Sequence, residues 1–165
     1  MCIRDRATAA HKEKVLGYIE NGIEEGADLI MDGRGFTVDE YPNGFFVGPT
    51  LFDNVKPDMT IAKEEIFGPV VSVVRAKDLD EVIDLINTRG FANAACIYTN
   101  DGATAREFKY RVIPSMVGIN IGIAAPMSFF PFGGSGNSMY GDTKAHGQEI
   151  FNFFTDTKVV IQRWF

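Results

Sequence analysis

The sequence predicts an α/β fold that contains a parallel sheet. Three short segments rich in β-branched or small apolar residues, Val70–Val74, Ala94–Thr99 and Met116–Ile121, alternate with two amphipathic segments. A strand made of a nearly continuous apolar run is typical of a parallel sheet that is covered on both faces. Helices between such strands indicate right-handed crossovers, so the order β-α-β-α-β predicts three neighbouring parallel strands.

Both connecting helices have start signals and one apolar face. Asp78 precedes the first helix with Glu81 three residues later, which predicts a capping box, and Asp101 opens the second helix, which Pro114 ends. The apolar residues share one face of each helix: Leu79, Val82, Ile83 and Ile86 in the first, and Ala105, Phe108 and Val112 in the second.

Further elements flank this alternating unit. A helix is predicted from Thr8 to Glu25 and a short strand at 27–31, whereas 45–51 is predicted to be extended but irregular because Gly48 and Pro49 interrupt it. We expect a partial catalytic domain over 7–143, and a C-terminal helix (144–154) with a strand (157–164) over 144–165. The strand has no evident partner in the alternating unit, so we expect it to pair elsewhere, as on another subunit. Residues 1–6 share no pattern with the rest and are interpreted as a non-native leader, with a frayed natural terminus as the alternative.

Composition excludes several classes of partner. The chain has 165 residues, 45% of them apolar and 23% charged, which is typical of a globular protein. Its net charge of −6 opposes a broad phosphate-binding face, so no nucleic-acid partner is expected. The sequence has no apolar run of about 20 residues and no signal-peptide pattern, so no membrane partner is expected either. Two cysteines, Cys2 and Cys96, form no disulfide framework, which favours the cytoplasm, or the mitochondrial matrix in a eukaryote.

Most residues with reactive side chains have a structural interpretation. Cys96 lies in a predicted strand without a nearby base, so we interpret it as a core residue. His11 and His146 are far apart in sequence and belong to no ligand cluster, so no metal site is predicted. The run Gly133–Gly136 lacks the Lys-Ser/Thr ending of a phosphate-binding loop, and tight turning explains its glycines.

The segment from Glu64 to Pro69 has two interpretations of equal weight. It can be a solvated pair of acids, Glu64 and Glu65, before a buried strand. Alternatively, one carboxylate accepts hydrogen bonds from a vicinal diol such as ribose, beside the Phe67 ring.

This segment also carries a resemblance to a known family. Lys63–Val70, Phe46–Leu51 and Pro131–Ser135 resemble, in order and spacing, three motifs of the aldehyde dehydrogenase superfamily. Within it the chain is most similar to the CoA-acylating methylmalonate-semialdehyde dehydrogenases, through residues 116–120, 124–127, 129–132, 141–142 and 154–160. General aldehyde dehydrogenases usually carry Gly-Arg-Glu near the position of Tyr140–Asp142.

The resemblance implies a role for each matched residue. Glu65 corresponds to the glutamate that holds the nicotinamide-side ribose of NAD, Phe67 to the aromatic residue beside the nicotinamide ring, and Phe132 to a residue that lines the acyl pocket. Thr157–Trp164 corresponds to a strand that pairs across the subunits of a homo-oligomer, a homotetramer in this group. The fold implied is the parallel-sheet portion of an aldehyde dehydrogenase catalytic domain plus this oligomerisation strand.

The resemblance places the nucleophilic cysteine before residue 1, so no catalytic residue is assigned and an inactive C-terminal fragment is expected. The whole enzyme is expected to oxidise methylmalonate or malonate semialdehyde with NAD through a cysteine thioester. Coenzyme A then releases propionyl-CoA or acetyl-CoA with loss of carbon dioxide, a reaction of valine and thymine catabolism. Two alternatives stay open: a hydrolytic, NAD(P)-dependent aldehyde dehydrogenase, and a non-catalytic assembly module.

Overall fold

A computed structural model describes residues 8–165, and the chain divides into two compact units, 1–77 and 78–165. The predicted leader, with Cys2, lies outside the described residues. Within the described range, no helix is both long and apolar enough to cross a membrane.

The first unit has one long helix and a three-stranded sheet. Its elements are α1 (Ala9–Glu24), β1 (Asp28–Met31), β2 (Thr50–Asp53), α2 (Thr60–Lys63) and β3 (Val70–Ser72). The strand order is β1-β2-β3, in which β1 and β2 are antiparallel and β2 and β3 are parallel.

The core of this unit forms where α1 packs on the sheet. Thr8 caps the helix, since its side chain accepts a hydrogen bond from the His11 backbone N–H. Val15 and Ile19, both in the predicted apolar stripe, are completely buried, as is Phe52 of β2. A Cβ on Gly22 would lie 3.0 Å from the Phe52 ring, so glycine lets the helix approach the strand closely.

The second unit contains two pairs of strands and three helices. Its elements are α3 (Leu79–Asn87), β4 (Phe91–Ala92), β5 (Ala94–Ile97), α4 (Gly102–Arg111), β6 (Met116–Ile119), β7 (Ser135–Gly136) and α5 (Glu149–Phe154). β5 and β6 are parallel, with Ala94 opposite Met116, and β4 and β7 are antiparallel.

The two helices predicted between the strands are confirmed, and so are the residues that start them. The Asp78 side chain accepts a hydrogen bond from the Glu81 N–H, and Asp101 accepts from the N–H groups of Ala103 and Thr104. The two helices pack through a buried cluster of Ile83, Phe108 and Val112. Asn87 also joins their ends, because its amide donates to the Arg111 carbonyl and accepts from the Ile113 N–H.

Two predictions are wrong in detail. β3 pairs with β2 in the first unit, so of the three predicted neighbouring strands only β5 and β6 pair with each other. The final helix begins at Glu149 and not at 144, because His146 (φ 69°) and Gly147 (φ 59°) adopt left-handed backbone conformations that a right-handed helix excludes.

Residues 157–164 have no strand assignment in the single chain. A segment becomes a strand of a sheet only when its backbone pairs with a neighbouring strand. The sequence predicts that neighbour on another subunit, so pairing across subunits stays a prediction. The proposed boundaries at 7–143 and 144–165 also stay predictions.

Candidate functional site

An open cleft of about 460 Å³ lies in the first unit, beside the segment that joins α2 to β3. Glu64, Glu65, Phe67 and Gly68 line it on this segment. The remaining lining comes from α2, β3 and their flanks: Ile61, Ala62, Ile66, Val70, Ser72 and Val74. Two of the three predicted site residues, Glu65 and Phe67, therefore share one cleft.

The two adjacent acids have different surroundings. The Tyr18 hydroxyl donates a hydrogen bond of 2.6 Å to Glu64 Oε2, and this bond raises the pKa of Tyr18 above its ordinary value. Glu65 is exposed, and it makes no hydrogen bond or ion pair with any of residues 8–165. Glu64 is therefore held by α1, whereas the Glu65 carboxylate keeps its acceptor capacity for a ligand.

Phe67 presents its ring to solvent from an unusual backbone conformation. Its side chain is 73% exposed, and its φ of 60° lies in the left-handed region, which is uncommon for a bulky residue. His11 Nε2 lies 2.9 Å from the Phe67 carbonyl oxygen, and the two rings meet edge to face with centroids 6.4 Å apart. A strained, exposed aromatic residue in a cleft indicates a functional position.

Gly68 brings this segment close to α1. A Cβ at this position would lie 2.8 Å from Val15 Cγ2 and 2.9 Å from Cγ1, closer than carbon atoms can approach without a shift. The segment therefore contacts α1 at three places, through Glu64, Phe67 and Gly68, and the helix residues involved are Tyr18, His11 and Val15.

This arrangement fits one end of a dinucleotide. A free carboxylate accepts hydrogen bonds from two adjacent hydroxyls, and an exposed ring packs against a planar heterocycle. Glu65 and Phe67 are separated by one residue and line the same cleft, so a ribose and its attached base could occupy both at once. The carboxylate acceptor and the exposed ring are thus compatible with a nucleoside.

Phe132, the third predicted site residue, belongs to the second unit. It pairs with Ala145 through two backbone hydrogen bonds, and its ring lies 5.4 Å from that of His146. The side chain is 36% exposed, so part of the ring is available for contact. Its role in an acyl pocket stays a prediction.

The other residues considered from the sequence, Cys96 and the glycine run 133–136, lie in packed or hydrogen-bonded parts of the second unit. Cys96 lies partly buried in β5, where a Cβ on Gly118 would come within 2.8 Å of its sulfur. Lys144 donates a hydrogen bond to the Gly134 carbonyl, and Gly136 belongs to β7. Within residues 8–165, no three His, Cys, Asp or Glu side chains are arranged to bind a metal ion.

Comparison with known proteins gives the family. The model of the aldehyde dehydrogenase family matches residues 6–160. The chain belongs to the aldehyde dehydrogenase family. This result confirms the resemblance on which the assignments of Glu65, Phe67 and Phe132 depend, although the individual roles remain predictions.

Particular aldehyde dehydrogenases resemble the chain closely over part of their length. Malonate-semialdehyde dehydrogenase of Halalkalibacterium halodurans is 52% identical over 155 residues, which cover 94% of this chain and 32% of that protein. The crystal structure of methylmalonate-semialdehyde dehydrogenase from Oceanimonas doudoroffii superposes with a TM-score of 0.94 at 44% identity, covering 97% of this chain and 33% of the other. A Sinorhizobium meliloti protein assigned as a methylmalonate-semialdehyde dehydrogenase and crystallised with NAD also has a TM-score of 0.94, at 43% identity and with the same coverage. The chain thus spans about a third of the length of the relatives that it matches.

Sequence reasoning missed the supporting residues of this aldehyde dehydrogenase segment. Tyr18 and His11 contact residues 46 and 56 positions away, and neither contact leaves a local pattern. The only available signal is helical spacing, since 11, 15 and 18 fall at i, i+4 and i+7 on one face of α1.

Proposed function

We propose that this chain forms part of the nicotinamide-binding wall of an NAD-dependent, CoA-acylating dehydrogenase of methylmalonate semialdehyde and malonate semialdehyde. The observation that carries the proposal is the contrast between adjacent acids. Tyr18 binds Glu64, whereas Glu65 has no partner among residues 8–165 and lines the same cleft as the exposed Phe67. The names of the relatives, and the crystallisation of one of them with NAD, support the choice of substrate and cofactor.

Each residue has a defined part in this proposal. The Glu65 carboxylate accepts hydrogen bonds from the two hydroxyls of the nicotinamide-side ribose, and thereby sets the rotation of that sugar. The Phe67 ring packs beside the nicotinamide and keeps water from that side of it. NAD, when bound, supplies the hydride acceptor. Phe132 is proposed to contact the acyl group of the substrate.

The remaining chemistry requires groups outside these residues. We place the nucleophilic cysteine in the part of the family's length that this chain does not match. Its thiolate adds to the aldehyde carbon, and loss of hydride from the resulting hemithioacetal leaves a thioester on that cysteine. The thiol of coenzyme A displaces the cysteine thiolate from the thioester. The carboxylate leaves as carbon dioxide and the adjacent carbon takes up a proton in its place, so the products are propionyl-CoA or acetyl-CoA.

We also propose that the C-terminal segment pairs between subunits of a homo-oligomer. Val159, Ile161 and Trp164 are 80%, 95% and 85% exposed in the single chain. Clustered exposed apolar residues of this kind are typical of protein interfaces. This supports an additional role in assembly.

The two acids provide a matched test of the cofactor site. In the longest natural protein that contains this chain, Glu65→Gln should weaken NAD binding by about tenfold to a hundredfold, which is the loss of about 1.5–3 kcal/mol from a charge-assisted hydrogen bond. Glu64→Gln makes the same chemical change one residue away and should leave NAD affinity within about twofold of the parent. Calorimetric titration with NAD measures both, and equal effects of the two substitutions would refute the assignment of Glu65.

The substrate is tested separately on the unsubstituted parent of these variants, the longest natural protein that contains this chain. Incubation with methylmalonate semialdehyde, NAD and coenzyme A should produce NADH and propionyl-CoA in equal amounts. A free acid formed at the same rate without coenzyme A would identify the hydrolytic alternative. Absence of turnover with either semialdehyde would overturn the substrate assignment but not the NAD site.

A further inference from the structure

We propose that His11 is a positioning residue for the cofactor site, acting through its hydrogen bond to the Phe67 carbonyl. This inference rests on the proposed function, because it assigns His11 the task of holding the Phe67 ring ready for the nicotinamide. His11 itself is not required to touch the cofactor. Its Nε2 lies 2.9 Å from the carbonyl oxygen of Phe67, 56 residues later in the chain.

The Phe67 backbone needs such a restraint. A left-handed conformation in a residue other than glycine costs of the order of a hydrogen bond and persists where the surroundings hold it. The ring provides little of that hold, since 73% of the side chain is exposed. The contact between His11 and the Phe67 carbonyl contributes to this restraint directly at the backbone.

His11 is itself held in place. Its backbone N–H donates to Thr8 Oγ1 at the start of α1, so the residue belongs to a capped first turn that does not fray freely. Val15, one turn further along the helix, is completely buried and packs against Gly68. The His11 side chain thus reaches the Phe67 carbonyl from a helix whose backbone is capped and anchored in the core.

The hydrogen bond has a defined direction. A carbonyl oxygen only accepts, so Nε2 of His11 carries the proton and donates. A glutamine at this position would retain an N–H donor at a similar distance from the backbone, whereas alanine would remove it.

The expected consequence concerns the binding of NAD. Without the donor, Phe67 samples conformations in which its ring points away from the nucleoside position. The apparent dissociation constant of NAD then rises in inverse proportion to the fraction of molecules whose Phe67 ring is still in the binding position. We expect His11→Ala to weaken NAD binding by about two- to tenfold, and His11→Gln to restore it to within about twofold.

A double-mutant cycle separates positioning from general stability. The longest natural protein that contains this chain is titrated with NAD as the parent, as His11→Ala, as Phe67→Ala and as the double variant. If His11 acts through the ring, His11→Ala changes NAD affinity in the parent and by less than about twofold in the Phe67→Ala background. The exposed Glu13, on the same helix, is the control: Glu13→Ala should leave NAD affinity within about twofold of the parent.

Three outcomes would overturn the inference. They are an unchanged affinity in His11→Ala, an equal loss in both backgrounds, and failure of His11→Gln to restore binding while the thermal midpoint of that variant equals the parent's. Glu65→Gln, measured in parallel, distinguishes the two proposals. If Glu65→Gln weakens binding and His11→Ala does not, only the positioning role fails, whereas no effect of Glu65→Gln removes the cofactor site itself.

Discussion

Substitution of Gly68 by alanine tests whether the site is supported by its contact with α1. The new Cβ would start 2.8 Å from Val15 Cγ2, and ordinary carbon contacts begin near 3.4 Å, so the two segments must separate by roughly 0.6 Å. Val15 cannot yield easily, because it is completely buried and β-branched side chains in helices have one strongly preferred rotamer. The segment that carries Glu65 and Phe67 must therefore move.

Two opposing terms determine the size of the effect. Overpacking of a well-filled contact costs about 1–3 kcal/mol. Replacement of glycine by alanine also restricts the unfolded chain, which offsets about 0.4–1 kcal/mol of that cost. We therefore expect Gly68→Ala to lower the free energy of unfolding by about 1–2 kcal/mol, measured by denaturant titration with the slope unchanged.

Val15→Ala provides a second background in which to measure the effect of Gly68→Ala. It removes both methyl groups that the new Cβ would meet, so Gly68→Ala should then be neutral or stabilising by up to about 1 kcal/mol. The coupling between the two substitutions should be about 1–3 kcal/mol. Additive effects, or a Gly68→Ala variant as stable as the parent, would refute the claim that α1 and the segment that carries Glu65 and Phe67 are in close contact.

Two further predictions concern stability. Asp78→Ala removes the side chain that caps α3 and should lower the free energy of unfolding by about 1 kcal/mol. Asp78→Ser should retain most of the stability that the cap provides. Equal stability of the alanine variant and the parent would exclude the cap. Arg75 donates hydrogen bonds to Asp53, and together with a bond from the Asn54 N–H they hold the pKa of Asp53 below its ordinary value. The contribution of the pair is therefore fully present above the unfolded pKa of about 3.9 and is lost as the pH falls through the lower folded pKa. The stability difference between the parent and Arg75→Gln should be constant near neutral pH and shrink below about pH 4, and a difference that grows in acid would contradict the assignment.

Helices were predictable from the sequence where their signals are local. Asp78 and Asp101 each lie directly before a periodic apolar face, and the structure confirms both helix starts. Strand pairing was less predictable, because β2 follows Gly48 and Pro49 and contains only residues 50–53. Two-residue strands such as β4 and β7 leave almost no pattern, since pairing through so few residues depends on the surrounding fold.

The candidate site was predictable in part, and for a physical reason. Glu65 and Phe67 are close in sequence, so one motif contains both of them. The motif alone could not decide which of Glu64 and Glu65 is available to a ligand, because the decision depends on the hydroxyl of Tyr18, 46 residues earlier. The same limit applies to His11, whose contact becomes visible only when α1 lies against the segment.

The extended backbone at Glu64 (φ −105°, ψ 146°) restricts how this region can be redesigned. Consecutive side chains diverge in extended backbone, so one acid can turn to Tyr18 while its neighbour stays free. Deleting or inserting one residue between Lys63 and Phe67 would bring a different side chain to the tyrosine and exchange the surroundings of the two acids. Redesign of this segment should therefore change residue identity and keep the number of residues constant.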